Sequence, residues 1–360
     1  MGSEPGGDVV IRARAPLRVS FCGGGTDLLP YVREHGGLVL SATIARHAYA
    51  SLRVLEEQTL RVRSLDFDTV ASFGLDEPLI YDGKLDLVKA CLRRLRMGSR
   101  VAACGLDLYL ETDAPPGSGL GSSSALVVAV IGAFTTWQHV DRDRYEIAGL
   151  AYDLERKDVG IAGGLQDQYS ATFGGLNLIE FRDEHDVVVN PLRIDPYLLH
   201  ELEYNSLLAF TGATRMSNRI IESQVVEFET GNPQVLAALH RMKELARHAK
   251  DALLRGRVVE FGEILHDDWM QKRRTSRAIT NDHIDHLYSE ARRLGAIGGK
   301  VSGAGGGGFM FIVCPFDRKP EVIRRLDELG ATVAPVRFEP DGLQTWSGPA
   351  MTQRHAVEVA

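Results

Sequence analysis

Residues 115–125, PPGSGLGSSSA, constrain this chain most, because they join a glycine-rich loop directly to the apolar run LVVAVIGAF. The alternating glycines at 117, 119 and 121 let the backbone turn and approach a ligand without a Cβ clash. The apolar run predicts a helix over 121–137, whose first turn presents unpaired N–H groups and a positive dipole end. This combination predicts an anion site, with phosphate as the natural guest. A serine cap would explain Ser122, Ser123 and Ser124 by itself, but not the prolines and glycines before them.

Two common nucleotide-binding motifs do not occur where their folds require them. The P-loop pattern GxxxxGK[ST] is absent, since GGK at 298–300 is followed by Val301 instead of a hydroxyl residue. The GxGxxG at 303–308 precedes the apolar run 309–313, whereas a dinucleotide fingerprint follows a strand and opens a helix. We therefore interpret residues 298–308 as a glycine-rich loop that enters a strand and packs against backbone or ligand.

Length and charge exclude several classes of protein. The 360 residues give room for two domains, and 44% hydrophobic with 25% charged residues is typical of a soluble globular protein. We expect a cytoplasmic protein, because residues 1–8 lack an apolar segment and no apolar run is long enough for a membrane span. The cysteines at 22, 91, 104 and 314 lack CxxC spacing, which argues against zinc and disulfides. The net charge of −7 gives no electrostatic case for nucleic acid or an anionic membrane as a partner, so a phosphate must be held by local geometry and metal.

The order of predicted elements indicates an α+β protein of two domains, divided near the prolines at 191 and 196. We predict a first domain over 9–195 and a second over 196–350. The first begins with a strand over 9–22 and paired β-segments over 38–54. The second contains helices predicted over 215–229, 234–255, 257–271, 281–294 and 318–329.

Three segments with special backbones, far apart in the chain, together predict one site. They are APLRVSFCGGGTD at 15–27, PPGSGLGSSSA at 115–125 and KVSGAGGGGF at 300–309. In this order they resemble the motifs of the GHMP kinases, the superfamily of galactokinase, homoserine kinase, mevalonate kinase and phosphomevalonate kinase. The resemblance covers essentially the whole chain. It implies a two-domain fold, with an N-terminal half like ribosomal protein S5 domain 2 and a C-terminal α/β sandwich half, and it implies ATP and Mg²⁺ as donor and cofactor.

Details of the motifs narrow the resemblance to one branch of the superfamily. GGGTD at 23–27 and GLQDQYSATFGGLNLIEF at 164–181 are most similar to kinases of heptose 7-phosphate. Galactokinases have GEHTDY in the first motif, where this chain has glycines at 24 and 25. The resemblance therefore implies phosphorylation of the anomeric hydroxyl of a sugar phosphate, which gives a 1,7-bisphosphate. An anomeric kinase for fucose, galactose or an N-acetylhexosamine, and a non-catalytic sugar or nucleotide sensor, remain alternatives.

The resemblance assigns the catalytic aspartate to Asp167, because QDQY matches the segment that holds this residue in such enzymes. We expect the glycine-bounded segment 161–175 to carry it into a hairpin-like return, where the carboxylate can accept the sugar hydroxyl's proton. Arg18 matches the basic residue after the AP pair, and would stabilise the aspartate as an anion or offset charge on the transferring phosphoryl group. From the residues alone, Asp167 could instead be a turn or cap residue and Arg18 an exposed strand residue.

The resemblance also implies residues that hold the nucleotide and the metal. Glu155 would bind Mg²⁺ together with Ser123, or with its neighbour Ser122, since this ion needs only one or two protein oxygens. Without the resemblance, a glutamate beside Arg156 and Lys157 is usually a surface ion pair. The residues expected at the nucleotide are Pro116, Gly117, Ser118, Gly119, Leu120, Gly121, Ser122, Ser123 and Ser124.

The sugar and its phosphate need separate contacts. A carboxylate and a hydroxyl suit a polyol, and arginine forks suit a phosphate. The basic cluster QKRRTSR at 271–277 could equally be a solvated helix face, and TD at 26–27 a helix cap. The residues expected at the substrate are Gly24, Gly25, Thr26, Asp27, Gly305, Gly306, Lys272, Arg273, Arg274 and Arg277.

Overall fold

The computed structural model describes residues 9–66, 68–96, 104–214 and 217–350. The strands are β1 (Val9–Cys22), β2 (Gly37–Leu55), β3 (Thr59–Ser64), β4 (Thr69–Gly74), β5 (Gly105–Thr112), β6 (Leu176–Phe181), β7 (Val187–Pro191), β8 (Ser206–Phe210), β9 (Gly298–Val301), β10 (Phe309–Val313), β11 (Thr332–Pro335) and β12 (Gln344–Pro349).

The helices predicted over 121–137, 215–229, 234–255, 257–271, 281–294 and 318–329 are present with bounds that differ by a few residues, whereas those at Gln166–Phe173 and Pro196–Tyr204 were not predicted. The helices of the structure are α1 (Leu29–His35), α2 (Asp86–Arg96), α3 (Ser122–Gln138), α4 (Arg144–Asp153), α5 (Gln166–Phe173), α6 (Pro196–Tyr204), α7 (Ser217–Glu229), α8 (Pro233–Leu254), α9 (Val258–Lys272), α10 (Asp282–Arg293) and α11 (Lys319–Glu328). The first two residues of the helix predicted over 215–229 lie outside the described residues. A search of the described residues finds no helix long and apolar enough to cross a membrane.

The first sheet is built around β2, which is 19 residues long. On one side β2 pairs with β1, and on the other its first part pairs with β6 and its last part with β5. The full order is β12-β1-β2-β5-β3-β4, with β6 and β7 branching from β2. The predicted paired segments over 38–54 are therefore wrong and form one strand, because no glycine, proline, asparagine or aspartate is present there to turn the chain.

Helix α3 packs against this sheet and fixes the position of the glycine-rich loop in front of it. All its residues from 124 to 134 are buried. A helix that is apolar on every side lies inside a core, and α3 contacts β1, β2 and α5. The N-terminus of α3 is consequently held in place by the core, and Gly121 precedes it in a left-handed conformation (φ +74°).

The second sheet has the order β11-β8-β10-β9, and all its pairs are antiparallel. Strand β9 occupies the first four residues of the segment interpreted as a loop over 298–308, because they pair with β10. Strand β12 returns to the first sheet and pairs with β1. The rings of Phe21 on β1 and Phe261 on α9 are in edge contact at 5.2 Å, so the two halves share a core. A division at residue 195 stays a prediction. Strand β12 follows residue 195 in the chain, although it belongs to the first sheet.

Candidate active site

The three predicted motifs meet at one open cavity of about 520 Å³. This volume lies within the ~300–1,000 Å³ that is typical of small-molecule sites. The cavity lies where the first turns of α3 and α5 meet the loop 302–308. Its lining includes Arg18, Gly25, Asp27, Pro116, Gly117, Gly119, Gly121, Ser122, Ser123, Ser124, Asp167, Lys272, Gly303 and Ala304.

The second and third motifs touch through their backbones. A Cβ on Gly119 would lie 2.5 Å from the carbonyl oxygen of Ser302, and a Cβ on Gly303 would lie 2.7 Å from that of Gly119. Both glycines also have positive φ, so the contact requires glycine at each position. Ser118 and Leu120 are fully buried beneath the loop, and their carbonyls accept hydrogen bonds from Phe309 and Arg18 N–H groups. The side chains of these two residues therefore support the nucleotide loop and do not face a ligand.

Arg18 and Asp167 form a salt bridge on the cavity wall. The Nε and Nη2 atoms of Arg18 lie 2.8 and 2.6 Å from Oδ1 of Asp167, and Nη1 donates to the Gly119 carbonyl at 2.6 Å. Both contacts use the same carboxylate oxygen, and the Asp167 side chain remains 22% exposed. No other described residue donates to Oδ2, which is thus available to accept a proton from a substrate hydroxyl.

Asp167 lies in the first turn of α5, so the hairpin-like return predicted for this segment is wrong. Gln168, Ala171 and Thr172 recur at helical spacing and are buried, which favours a helix over a turn. The carboxylate stands near the positive end of the helix dipole, which stabilises its charged form. The glycines before and after α5 allow the chain to enter and leave this short helix.

Glu155 is fully buried behind the first turn of α3, in a π-helical turn at Leu154–Asp158 that continues α4. Its Oε1 accepts a hydrogen bond from Ser123 at 2.8 Å, and its Oε2 accepts one from Ser124 at 2.6 Å and another from Gln168. Ser123 is exposed to the cavity, whereas Ser124 is buried. The structure therefore pairs Ser123, and not Ser122, with Glu155 at the cavity wall.

A carboxylate beside a hydroxyl is a hard oxygen donor set, which suits Mg²⁺ when phosphate oxygens and water complete the shell. Among the described residues, no group of three or more histidine, cysteine, aspartate or glutamate side chains forms a separate metal site. The pair Ser123 and Glu155 thus fits an ion that is bound mainly through its nucleotide.

The first motif contributes Asp27 to the cavity but not Thr26. Asp27 accepts hydrogen bonds from Gly25 N at 2.9 Å and from Gln166 Nε2 at 3.0 Å. Thr26 is fully buried, and its hydroxyl bonds to backbone groups of Gly23 and Leu38. The predicted contact of Thr26 with substrate is wrong, because this hydroxyl holds the glycine turn against β2. Gly24 does not line the cavity and lies beside the Nζ of Lys272.

Only one residue of the predicted basic cluster reaches the cavity, and it is Lys272. Arg273 pairs with Asp285 at 2.7 Å on another face, and Arg274 is exposed and donates to Gln271. Arg277 is also exposed. Consecutive side chains on a helix point in different directions, so a sequence cluster at a helix end cannot place all its members in one site.

Gly305 and Gly306 do not line the cavity, and their contacts with substrate stay predictions. A Cβ on Gly305 would lie 2.6 Å from the carbonyl oxygen of Ile279, and Gly306 N donates to the same oxygen at 2.7 Å. These two glycines pack the third loop against the 3₁₀ turn at Arg277–Ile279, while their neighbours Gly303 and Ala304 line the cavity.

Several cavity-lining residues belong to no predicted motif. One group lies on α7, where polar and apolar side chains recur every three residues on the face toward the cavity. That spacing is the sequence signal which identifies them. The lining residues without a predicted role include Arg156, Gln166, Thr214, Asn218, Ile221 and Gln224.

A buried ion pair ties the first motif to the third. Asp268 on α9 and Lys300 on β9 are both fully buried and in contact, and Asp268 Oδ1 accepts a hydrogen bond from Gly23 N at 3.0 Å. Asp268 lies one turn before Lys272 on the same face of α9. Sequence patterns do not reveal this pair, because its members lie 32 residues apart on different elements.

We expect Asp268→Asn to lower the free energy of unfolding by about 3 kcal/mol, because the ammonium of Lys300 stays buried without a counter-charge. Denaturant unfolding measures the loss. Asp285→Asn is the matched control, because its pair with Arg273 is about one-third exposed and is worth less than about 1 kcal/mol. Equal losses in both variants would contradict the role given to Asp268, and adding Lys300→Met should restore part of the stability.

Lys272 supplies a pH-dependent prediction. Burial, with a smaller effect from the nearby Lys300 charge, lowers the pKa of Lys272 from 10.5 to about 7. Between these two pKa values the folded protein binds fewer protons than the unfolded chain. The free-energy penalty for burying the charged lysine is therefore full below about pH 7 and vanishes above pH 10.5. We expect wild type to gain stability relative to Lys272→Met as pH rises through this window. Denaturant unfolding at several pH values tests this, and a pH-independent difference would contradict it.

Comparison with known proteins supports one family over the whole chain. Residues 86–175 match the N-terminal domain of the GHMP kinases, and residues 249–332 match their C-terminal domain. The chain is 39% identical to the D-glycero-alpha-D-manno-heptose 7-phosphate kinase of Campylobacter jejuni, over 93% of this chain and 98% of that protein. It is 28% identical to the bifunctional fucokinase/GDP-fucose pyrophosphorylase of Arabidopsis thaliana, over 88% of this chain and 31% of that protein.

A solved structure agrees with these relatives. The crystal structure of a D-glycero-D-manno-heptose 1-phosphate kinase from Bacteroides thetaiotaomicron superposes with a TM-score of 0.79 at 35% sequence identity. The match covers 93% of this chain and 98% of that one.

Proposed function

Since this chain belongs to the GHMP kinases, we propose that it transfers the γ-phosphoryl group of ATP to the anomeric oxygen of D-glycero-D-manno-heptose 7-phosphate. The Arg18–Asp167 salt bridge carries the proposal, because it stands beside the glycine-rich loop with one carboxylate oxygen left for a substrate hydroxyl. A sensor without catalysis has no need for this arrangement. The name of the Campylobacter jejuni relative, at 39% identity, supports the choice of sugar.

The residues around the cavity have separate roles in phosphoryl transfer. The backbone of residues 117–121 and the first turn of α3 hold the phosphates of ATP, because unpaired N–H groups and the helix dipole favour anions. Asp167 Oδ2 accepts the proton of the anomeric hydroxyl and orients that oxygen toward the γ-phosphorus. Arg18 holds the Asp167 carboxylate in place and adds a positive charge next to the transferring group. Asp27 orients the sugar through its hydroxyl groups.

Ser123 and Glu155 are the residues that would hold Mg²⁺ with the phosphates of ATP. The ion, when bound, offsets the negative charge that the phosphate oxygens carry during transfer. Glu155 also positions the first turn of α3 through its bonds to Ser123 and Ser124. Lys272, which also lines the cavity, is the remaining residue of the basic cluster for which we propose a role at the substrate.

A coupled ADP-release assay with MgATP tests the proposed function. The panel contains heptose 7-phosphate, mannose 6-phosphate and the free sugars fucose, galactose, mannose and N-acetylglucosamine, and phosphorus NMR identifies the product. We expect a strong preference for heptose 7-phosphate and a new anomeric phosphate signal. Turnover of a free sugar alone would leave a sugar kinase with a different substrate. ATP binding without turnover of any sugar would favour the sensor.

A further inference from the structure

Three cations line the described part of the cavity: Arg18, Arg156 and Lys272. They differ in how much charge each can offer to a phosphate. The guanidinium of Arg18 is occupied by Asp167, at 2.6 and 2.8 Å. Burial lowers the pKa of Lys272 to about 7, so this lysine carries its charge less fully near neutrality than an exposed lysine does. A guanidinium is charged at any working pH, which makes Arg156 the strongest remaining cation on this wall.

The hydrogen bonds of Arg156 hold its side chain in place but leave donors unused. Nη1 donates to the Ile161 carbonyl and Nη2 to the Gly164 carbonyl, each at 3.3 Å, beyond the usual range for such bonds. Nε is buried, and no hydrogen-bond partner for it occurs among the described residues. The side chain is 11% exposed and lines the cavity.

The carboxylate nearest to Arg156, that of Glu155, does not form a close ion pair with it. Nη2 of Arg156 lies 3.9 Å from Oε2 of Glu155, and the two oxygens of that carboxylate already accept bonds from Ser123 and Ser124. In the π-helical turn at Leu154–Asp158, Glu155 bonds to the first turn of α3, whereas Arg156 donates to the segment 161–164.

Two consecutive glycines, Gly163 and Gly164, allow the backbone to pack closely beside Arg156. A Cβ on Gly163 would lie 2.2 Å from Cζ of Arg156, so the guanidinium rests directly on the backbone of that glycine. A Cβ on Gly164 would lie 1.9 Å from Oδ2 of Asp27. The segment 161–164 lines the cavity and thus brings Arg156 next to Asp27, the carboxylate that we propose for the sugar.

We propose that Arg156, resting on residues 161–164, binds a phosphate group of the reactants. This inference rests on the proposed kinase function. A fixed planar fork of donors with permanent charge is the group that best matches a phosphate dianion. Two phosphates share this chemistry: the one that the sugar already carries and the one that is transferred. In the first case Arg156 takes the role that the sequence assigns to Arg273, Arg274 and Arg277.

Kinetics with two sugars distinguish the two phosphates. The full-length enzyme and Arg156→Met are assayed with heptose 7-phosphate, with the same heptose lacking its phosphate, and with varied MgATP. If Arg156 binds the sugar's phosphate, KM for heptose 7-phosphate rises about 10- to 100-fold in the variant, and kcat/KM for the free heptose changes less than twofold. If it binds the transferred phosphate, kcat falls by about the same factor with both sugars.

Arg274→Met is the matched control, since this arginine is exposed and lies outside the cavity. Constants for Arg156→Met within twofold of those for Arg274→Met would overturn the proposal. Arg156→Lys keeps the charge without the fork and should restore part of the lost KM or kcat. The proposal would also be overturned if both Arg156 variants had a lower melting temperature but unchanged KM and kcat. The arginine would then only stabilise residues 161–164.

The wild-type assay separates this inference from the proposed function. If wild type phosphorylates only a free sugar, the choice of heptose 7-phosphate is wrong. The effect of Arg156→Met on kcat with that sugar then decides the inference, since the transferred phosphate is the remaining candidate. A fall of about tenfold or more would support it, and an unchanged kcat would overturn it.

Discussion

Asp167→Asn is expected to lower kcat about 10³-fold or more, while ATP binding stays within a few-fold of wild type, because the amide cannot accept the hydroxyl proton. The loss falls on the chemical step, since the side chain keeps its size and Arg18 can still donate to the amide oxygen. The 2.6 and 2.8 Å contacts of Arg18 with Oδ1 predict a folded variant. Single-turnover ADP release and equilibrium binding of a non-hydrolysable ATP analogue measure the two quantities.

Asp285→Asn is the control for this substitution, because it removes an aspartate from an arginine pair that lies outside the cavity. It should leave kcat unchanged. A kcat for Asp167→Asn within tenfold of wild type would show that proton transfer to this carboxylate does not limit catalysis. A variant that loses both ATP binding and its thermal transition would instead assign Asp167 a structural role.

Glu155→Gln is expected to lower kcat on the order of 10²- to 10³-fold and to raise the Mg²⁺ concentration needed for half-maximal activity. The substitution removes a negative charge directly behind Ser123 and keeps the shape of the side chain. It also introduces an amide donor where Ser124 and Gln168 already donate, so part of the bonding network must rearrange. Titration of ADP release with Mg²⁺ at fixed ATP gives both numbers.

Glu290→Gln is the matched control, since Glu290 pairs with Arg293 and Arg325 outside the cavity. It should alter neither kcat nor the Mg²⁺ dependence. A lower melting temperature of Glu155→Gln with an unchanged Mg²⁺ requirement would contradict the metal role and leave Glu155 as a buried support for α3.

The sequence was most informative where one short segment contains both the residues that set an unusual backbone conformation and the residues that carry the chemistry. The glycine-rich loop with helix α3 is such a case, because alternating glycines and a fully apolar run have few other uses. The motifs around Arg18, Glu155 and Asp167 could likewise be selected from sequence, and the structure brings all three to the same cavity region. Their roles in catalysis stay predictions.

Sequence was least informative for features that depend on the direction of a side chain. Thr26 has the chemistry of a sugar contact, yet its hydroxyl is used by the backbone of Gly23 and Leu38. The cluster at 271–277 is strongly basic, yet the rotation of α9 and the turn after it leave only Lys272 in the cavity. A one-residue change in position along a helix turns a side chain by about 100°, and the sequence does not state which face is inside.

By itself the sequence determined the family, the α+β class, most helices and the three glycine-rich motifs, because these depend on local periodicity and on residues that tolerate unusual backbone angles. Only the tertiary structure decided which charged groups are buried together. The Asp268–Lys300 pair, the pairing of β12 with β1 and the packing of Gly164 against Asp27 all join distant residues. Such contacts form because burial removes water from charges and strand edges that must then find partners within the protein, wherever the fold brings them.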